Sequence, residues 1–314
     1  VAAYFNPNSY EGYHNWIREE NIAALKKTTF QKRFSQCQRI LDVGCGTGDF
    51  TRDVLLPWNQ PCHSIVAVDA STLMVDYARR NHGHSGIRYE VLDITTPAVT
   101  LFLDKHGKFN RIYSFCCLNW IRDQEAAFRN IGRLLTDDGE CLLLFTAPFF
   151  LYDVWLEMAK MERWKDIIGD TKDLFPDIWH RDPPPSMNEL ENAVRRLIVD
   201  AGMSTLSCEF YSTVAHVPSY AGVLDILVPT VSVKAGTSKE ETSSMRSELS
   251  SRLMKRFKMT PNGAEEVREL ARHSIQEQQR VDAGRYNFRR GDVHLQPGDR
   301  VWLWTSIRRR GLSE

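Results

Sequence analysis

The sequence lacks any apolar run close to the ~18 residues that a membrane-spanning helix needs. Its longest apolar block, CLLLF followed by APFFLY, is interrupted at Thr146 and stops at Asp153. It also lacks a charge of one sign. Forty Lys+Arg stand against forty Asp+Glu, so nothing global favours nucleic acid or an anionic membrane as partner. Paired-cysteine spacing is missing as well. The seven cysteines (Cys37, Cys45, Cys62, Cys116, Cys117, Cys141 and Cys208) contain no C-x-x-C, which argues against a disulfide framework, a zinc cluster or any cysteine-built metal site. Several lie inside apolar runs, where a free Cys behaves as a small hydrophobe, and a reducing, cytoplasmic compartment is expected. No basic-then-apolar leader opens the chain; it starts at Val1 and reads as a segment whose natural start lies upstream. What is present is ordinary globular material. Hydrophobic residues make up 42% and charged residues 25% of 314, enough for a full core in one large domain with an appendage, or in two.

The first 30 residues are polar with scattered aromatics, and a helix is expected around Trp16–Lys26. From Arg39 short apolar runs alternate with helical patterns. RILDV reads as a strand, then a glycine cluster, then a helix from about Asp49. SIVAVD is a second strand, followed by Ser71 as a helix cap and the periodic set Leu73, Met74, Tyr77 and Ala78. IRYEVLD and FNRIYSF are the third and fourth strands. EAAFRNIGRLL is an amphipathic helix, and Asp138-Gly139 turns the chain into ECLLLFT. Such alternation predicts an α/β fold with a doubly wound, mostly parallel sheet. After Ala147 the rhythm breaks into aromatic-rich helices and a loop through Pro183-Pro184-Pro185. Then SMNELENAVRRLIVDAG carries a helix signature, with Ser186 as cap, Glu189 three residues on and Gly202 at the end. MSTLSCEFYS is a sixth strand, and residues 235–261 are polar and helical.

The richest segment is LDVGCGTGDFT, with Asp42, Gly44, Gly46 and Gly48. A strand that runs into glycines and then a helix brings bare backbone and a positive helix end to a ligand. The dinucleotide fingerprint would need glycine where this chain has Asp49, and no Gly-Lys-Ser/Thr follows for a phosphate loop. With Asp42 ahead of it, the G-x-G-x-G spacing suits a cationic amino-acid ligand better than a pyrophosphate. Asp69 ends the second strand, placed to accept both ribose hydroxyls of an adenosyl group. Asp93 ends the third, within reach of an exocyclic amine of adenine. Each acid alone has an equal reading as a cap or loop residue; the ordered set on successive strand ends points to one ligand crevice.

These residues resemble the class I S-adenosylmethionine-dependent methyltransferases. The stretch YSFCCLNWIRDQEAAFRNIGRLLTDDGECLLLF is similar to the juvenile hormone acid methyltransferases of arthropods, whose fourth strand leads into a His-Trp-Ile-Arg-Asp-Gln run. Here it reads Asn119-Trp120-Ile121-Arg122-Asp123-Gln124. The resemblance covers residues 5–235 and is strongest over 39–146. It implies S-adenosylmethionine as co-substrate, without a metal, bound by Asp42, Gly44, Cys45, Gly46, Gly48, Asp69, Ala70, Asp93, Ile94 and Ser114. It further implies carboxyl O-methylation of a small lipophilic, sesquiterpenoid-like acid, with the Trp120 indole N–H holding one carboxylate oxygen; a plain core role for Trp120 stands beside that. The family's His is Asn119 here. Its N-terminal glutamine falls on Ile17, with His14 or Asn15 as stand-ins. Phe149, Phe150, Tyr152 and Trp155 are expected either to line an apolar pocket or to pack under cover helices. Methylation of another small molecule (an amine or a phenol), or an inactive relative that only binds the co-substrate, are the alternatives.

From about Gly263 the texture is foreign to that family. ARHSIQEQQRVDAGRYNFRRGDVHLQPGDRVWLWTSIRRRGLSE resembles the segment that follows the integrase core of Gypsy-type retroelements. The expected organisation is therefore a methyltransferase domain over 1–262, with helical cover at about 148–185 and 214–262, and a retroelement-like tail over 263–314. The Arg308-Arg309-Arg310 run is expected to be a solvated end rather than a nucleic-acid site. Class I methyltransferases insert an antiparallel seventh strand between the fifth and sixth. Residues 213–262 offer no candidate, and VWLWTSI at 301–307 is the only late strand-like run, with filling that gap and lying outside the sheet both open.

Overall fold

A computed structural model describes residues 7–13, 15–31, 38–62, 64–147, 150–168, 175–181, 185–213, 234, 236–256 and 300–309. Two helices come first, α1 (Pro7–Tyr13) and α2 (Asn15–Lys27). The α/β alternation follows. It runs β1 (Arg39–Val43), a π-helical turn Thr51–Leu55 continued by α3 (Leu56–Trp58), β2 (Ser64–Asp69), α4 (Thr72–Asn81), β3 (Ile87–Val91), α5 (Ala98–His106), β4 (Phe109–Phe115), α6 (Gln124–Leu134) and β5 (Leu135–Thr146). After it come α7 (Phe150–Ala159), α8 (Met187–Asp200), β6 (Met203–Thr213), α9 (Lys239–Arg256) and β7 (Arg300–Arg309).

The strands form one 7-stranded sheet in the order β3-β2-β1-β4-β5-β7-β6. β1 to β5 pair in parallel, while β7 is antiparallel to both β5 and β6. Order reverses at β1, so the crossovers before and after it leave a crevice above the carboxyl ends of β1, β2 and β4, where ligands of open α/β sheets bind.

Alternation along the strands divides the core. Leu41, Val43, Ile112, Cys141, Leu143 and Phe145 face α5, α6 and α8, where Phe102, Phe128, Ile131 and Ile198 close the layer. Ile40, Ile65, Tyr113, Phe115, Leu142 and Leu144 face the other way, against Ala24 and Leu25 of α2 and Leu55 and Leu56 after the glycine loop. Pleat period two sends neighbours to opposite faces, which is why near-continuous apolar runs mark strands covered on both sides.

Local signals account for several ends. Ser71 caps α4 by accepting from Met74 N, and Asp123 caps α6 by accepting from Ala126 N. Ser186 and Glu189 form a reciprocal capping box on α8, and Gly202 follows with φ +71°. Between Phe109 and Arg111 the β4–β5 register shifts, because Thr136 to Gly139 bulge out of β5 at the expected turn.

Two features depart from the expected layout. α5 carries no sequence warning, and the sheet takes strands from both sides of the 262–263 division. β7 is the late strand-like run whose place in or out of the gap the sequence leaves open. It pairs Cys141 with Ile307 and Cys208 with Thr305, filling the slot between β5 and β6. Val, Trp, Thr and Ile are good strand formers, and the slot offers two open edges. Among the described residues, no helix is long and apolar enough to cross a membrane.

Candidate active site

β1 ends in Val43 and hands the chain to the glycine loop. Gly44 and Cys45 donate to the Val68 carbonyl at 2.7 and 3.0 Å, so the loop is pinned to the neighbouring strand. Gly44 has φ +80°, and a methyl built there would lie 2.4 Å from Cys117 Cβ. Gly48 has φ +82°, and a methyl there would strike Tyr89 and Ala78 at 2.7–2.8 Å. Both positions therefore admit only glycine. The Tyr89 hydroxyl lies 3.0 Å from the carbonyl oxygens of both Gly48 and His82, fixing the loop to the far side of β3.

The three acids occupy successive strand ends. Asp42 is almost fully buried, at 3% exposure, and its Oδ2 accepts the Thr51 hydroxyl at 2.6 Å. Burial pushes its carboxyl up to about 7; the Thr51 bond opposes this, and the charges of Asp69 and Asp49 add to it. Asp69 accepts from Gly46 N (3.0 Å) and Ser71 N (2.8 Å). Its carboxyl is raised by burial, with those two amides pulling the other way. Asp93 uses one oxygen, Oδ1, for Thr95 N and the Thr95 hydroxyl at 2.9 and 2.7 Å. Its Oδ2 accepts no hydrogen bond among the described residues.

The other expected cofactor residues are distributed as follows. Cys45 is buried, and its thiol is held well above the usual range by burial, then by Asp69 and Asp42, so it is no nucleophile. Ala70 is exposed beside Asp69. Ser114 is fully buried and donates to the Val43 carbonyl at 2.9 Å, a strand-to-strand tie. Ile94 is a core residue under α5 and α6, and its carbonyl accepts from Asn130 at 2.8 Å. Beyond β4, Cys116 adopts φ +55°, uncommon for a residue with a side chain.

Asn119 and Trp120 lie in a short helical turn, Leu118–Trp120, above β4. Asn119 is buried at 2% exposure, and its Oδ1 has no hydrogen-bond partner. Trp120 is half-buried, its ring 5.5 Å from Phe175. Phe175 is the hub of an aromatic cluster, with Tyr152, Trp155 and Trp179 at 4.8–5.4 Å. Tyr152 and Trp155 are thus interior residues, while Phe149 and the Phe150 side chain lie outside the described residues. Ile17, at the family's glutamine position, packs on the β1/β4 core and not in this cluster. His14 lies outside the described residues; Asn15 starts α2, with its side chain outside them too.

Sequence reasoning missed two residues near the loop. Arg18 of α2 bridges to Asp49 at 2.7 Å, so the residue that broke the dinucleotide fingerprint anchors α2. Tyr10 of α1 lies over Gly46, its ring edge 3.7 Å from a methyl built there. No sequence spacing marks either contact. Among the described residues, no group of three or more His, Cys, Asp or Glu is placed to hold a metal ion.

Sheet order, glycine loop and strand-end acids converge on one crevice, and residues 40–139 match the family described as a methyltransferase domain. The chain is 33% identical over 171 residues to juvenile hormone acid O-methyltransferase of Bombyx mori, covering 54% of this chain and 58% of that protein. The Drosophila melanogaster protein of the same name is 29% identical, over 53% and 57%. A malonyl-[acyl-carrier protein] O-methyltransferase of Paenibacillus sp. is 27% identical over 222 residues, 67% of this chain and 72% of that one. The chain thus spans less than three fifths of the two insect proteins.

Proposed function

We propose that this chain transfers a methyl group from S-adenosylmethionine to the carboxylate of a small lipophilic acid. The observation that carries it is the junction of two environments at the end of β4: the acid-lined glycine crevice on one side, and an aromatic cluster entered through Trp120 on the other. The crevice suits an adenosyl amino acid. The Gly44–Gly48 backbone leaves room for close approach, Asp69 faces the ribose hydroxyls, and the spare Oδ2 of Asp93 takes an adenine amine. Relatives named for an acid and for a malonyl group support carboxyl oxygen as the acceptor.

The bound co-substrate supplies an electrophilic methyl on a positively charged sulfur. A carboxylate is ionised at neutral pH, so this chain needs no general base; its task is orientation and removal of water. The Trp120 indole N–H holds one carboxylate oxygen and leaves the other directed at the crevice. Trp120, half-buried on Phe175, presents the apolar side to the acid and keeps the nucleophile dry, with Tyr152, Trp155 and Trp179 packed behind Phe175. Asn119 sits beneath the turn as a buried acceptor.

The test is methyl transfer from radiolabelled co-substrate to a panel of lipophilic acids, phenols and amines. Base-labile methyl esters from the acids are the expected products. Labelled phenol ethers or methylamines in place of esters refute carboxyl specificity, and binding of co-substrate with no product from any acceptor class refutes the catalytic reading.

A further inference from the structure

We infer that Tyr10 is a cofactor-contacting residue that closes the crevice, and that Glu11 positions it by latching α1 onto α4. This rests on the crevice being the S-adenosylmethionine site, as proposed above.

The contacts run in both directions from one turn of helix. Tyr10 points inward over Gly46, whose amide donates to Asp69 at 3.0 Å. Burial pushes the Tyr10 phenol up, and the groups that add to the rise are Cys116, Asp49, Asp69 and Cys117, which together outline the crevice from the ends of β1, β2 and β4. Glu11, the next residue, points to α4. One carboxylate oxygen accepts the Tyr77 hydroxyl, and the other lies 2.5 Å from His82 Nε2. His82 is buried at 7% exposure, and among the described residues its Nδ1 has no hydrogen-bond partner, so Glu11 is the polar contact that holds this ring. A pair in which one partner is buried and the other part-buried is far less screened than a surface pair.

α4 begins immediately after Asp69 and its Ser71 cap. Glu11 thus fastens α1 to the helix that follows Asp69, and Tyr10 comes down on Gly46, whose amide binds that acid. With α1 docked, the ring covers the glycine loop. A ligand seated over Gly46 and Asp69 has Tyr10 as its roof, and it leaves only when the latch opens.

S-adenosylhomocysteine, the stable product, is the probe. Calorimetry on the wild-type chain comes first; if it does not bind, the cofactor reading fails and this inference with it. Given binding, Tyr10→Ala is expected to raise Kd about tenfold, the scale of a lost contact to a charged or partly buried ligand group, with Tm little changed. Glu11→Gln removes the carboxylate that holds Tyr77 and His82 and is expected to raise the dissociation rate about tenfold while leaving the Tyr10 ring in place. Hydrogen exchange over residues 7–13 should slow on adding the probe to wild type and not in Glu11→Gln. Unchanged affinity in Tyr10→Ala overturns the contact, and tighter binding overturns it too, by making the ring a plug. An unchanged dissociation rate in Glu11→Gln overturns the latch. If Tyr10→Ala unfolds, Tyr10→Phe with the exchange measurement decides the same question.

Discussion

A carboxyl group titrating near neutrality couples the binding of a cation beside it to pH, and in the proposed function Asp42 is such a group. Its folded value lies near 7 against about 4 in an unfolded chain. The free protein therefore holds the Asp42 proton more tightly than the unfolded chain does. That stabilising contribution is fully present below about pH 4 and is lost as pH rises through 7. A cationic ligand reverses the preference, because it favours the ionised carboxylate. Affinity for S-adenosylmethionine should then rise as pH goes from 6 to 8, by about tenfold per unit below the folded value. Calorimetry across that range should show the slope in wild type and a flat line in Asp42→Asn. The same substitution should raise thermal stability at pH 8 and have little effect at pH 5. Trp120 offers a second test at this scale. Trp120→Phe keeps the packing on Phe175 but deletes one donor to a charged group, worth about 1.5–3 kcal/mol, so kcat/KM should fall roughly 10- to 150-fold with Tm steady. Full activity in that variant would return Trp120 to a purely packing role.

Among the elements, the tie between α2 and the sheet interior is the most exposed to mutation. Arg111 and Glu140, each 1% exposed, meet at 3.4 Å on paired positions of β4 and β5. Gln31 N donates to Glu140 at 3.0 Å, and the Arg111 guanidinium lies 3.5 Å over the Phe30 ring. Removing one partner of such a pair costs about 3–5 kcal/mol, since it leaves a buried charge uncompensated. Glu140→Ala should lose about that much in urea unfolding, and adding Arg111→Met should recover most of it. A double variant as weak as the single one refutes the pairing. Nothing in the sequence announces this pair, because an Arg and a Glu inside strand patterns carry no period. The elements themselves differ in the same respect. α6 and α8 were legible from apolar spacing and caps. α5 was not, because AVTLFLDKH leaves Leu101 74% exposed while Val99 and Phe102 are buried, so its apolar residues fall on both faces and mark no stripe. α1 was hidden for the opposite reason: PNSYEGY has no apolar stripe, and Tyr10 and Glu11 hold it by contacts to Gly46, Tyr77 and His82. The glycine loop and the strand-end acids are legible because they are local to strand ends, whereas Glu11 meets Tyr77, 66 positions on, and Trp120 meets Phe175, 55 positions on.

Over the whole molecule, the sheet is completed by β7, which follows β6 only after residues 214–299. β7 supplies both partners that β5 and β6 have on their facing sides. Deleting residues 264–314 should therefore expose two strand edges, lower Tm by more than about 5 °C and promote aggregation. Light scattering and a melting curve decide it: a soluble, equally stable shortened chain would show that the seventh position is dispensable.

That position also sets the timetable of biogenesis. Synthesis proceeds from the N-terminus, and β1 to β5 can assemble once Thr146 has been made. The next strand in the sheet arrives only with Arg309, at roughly 5–20 residues per second some 10–30 s later. β6 is translated long before, yet it reaches the sheet only through β7. A nascent chain thus spends that interval with a finished half-sheet, an open β5 edge and a strand that has no neighbour. Ribosome stalling in this window, or slow codons within it, should produce chains held by chaperones, which bind unpaired edges and exposed apolar faces.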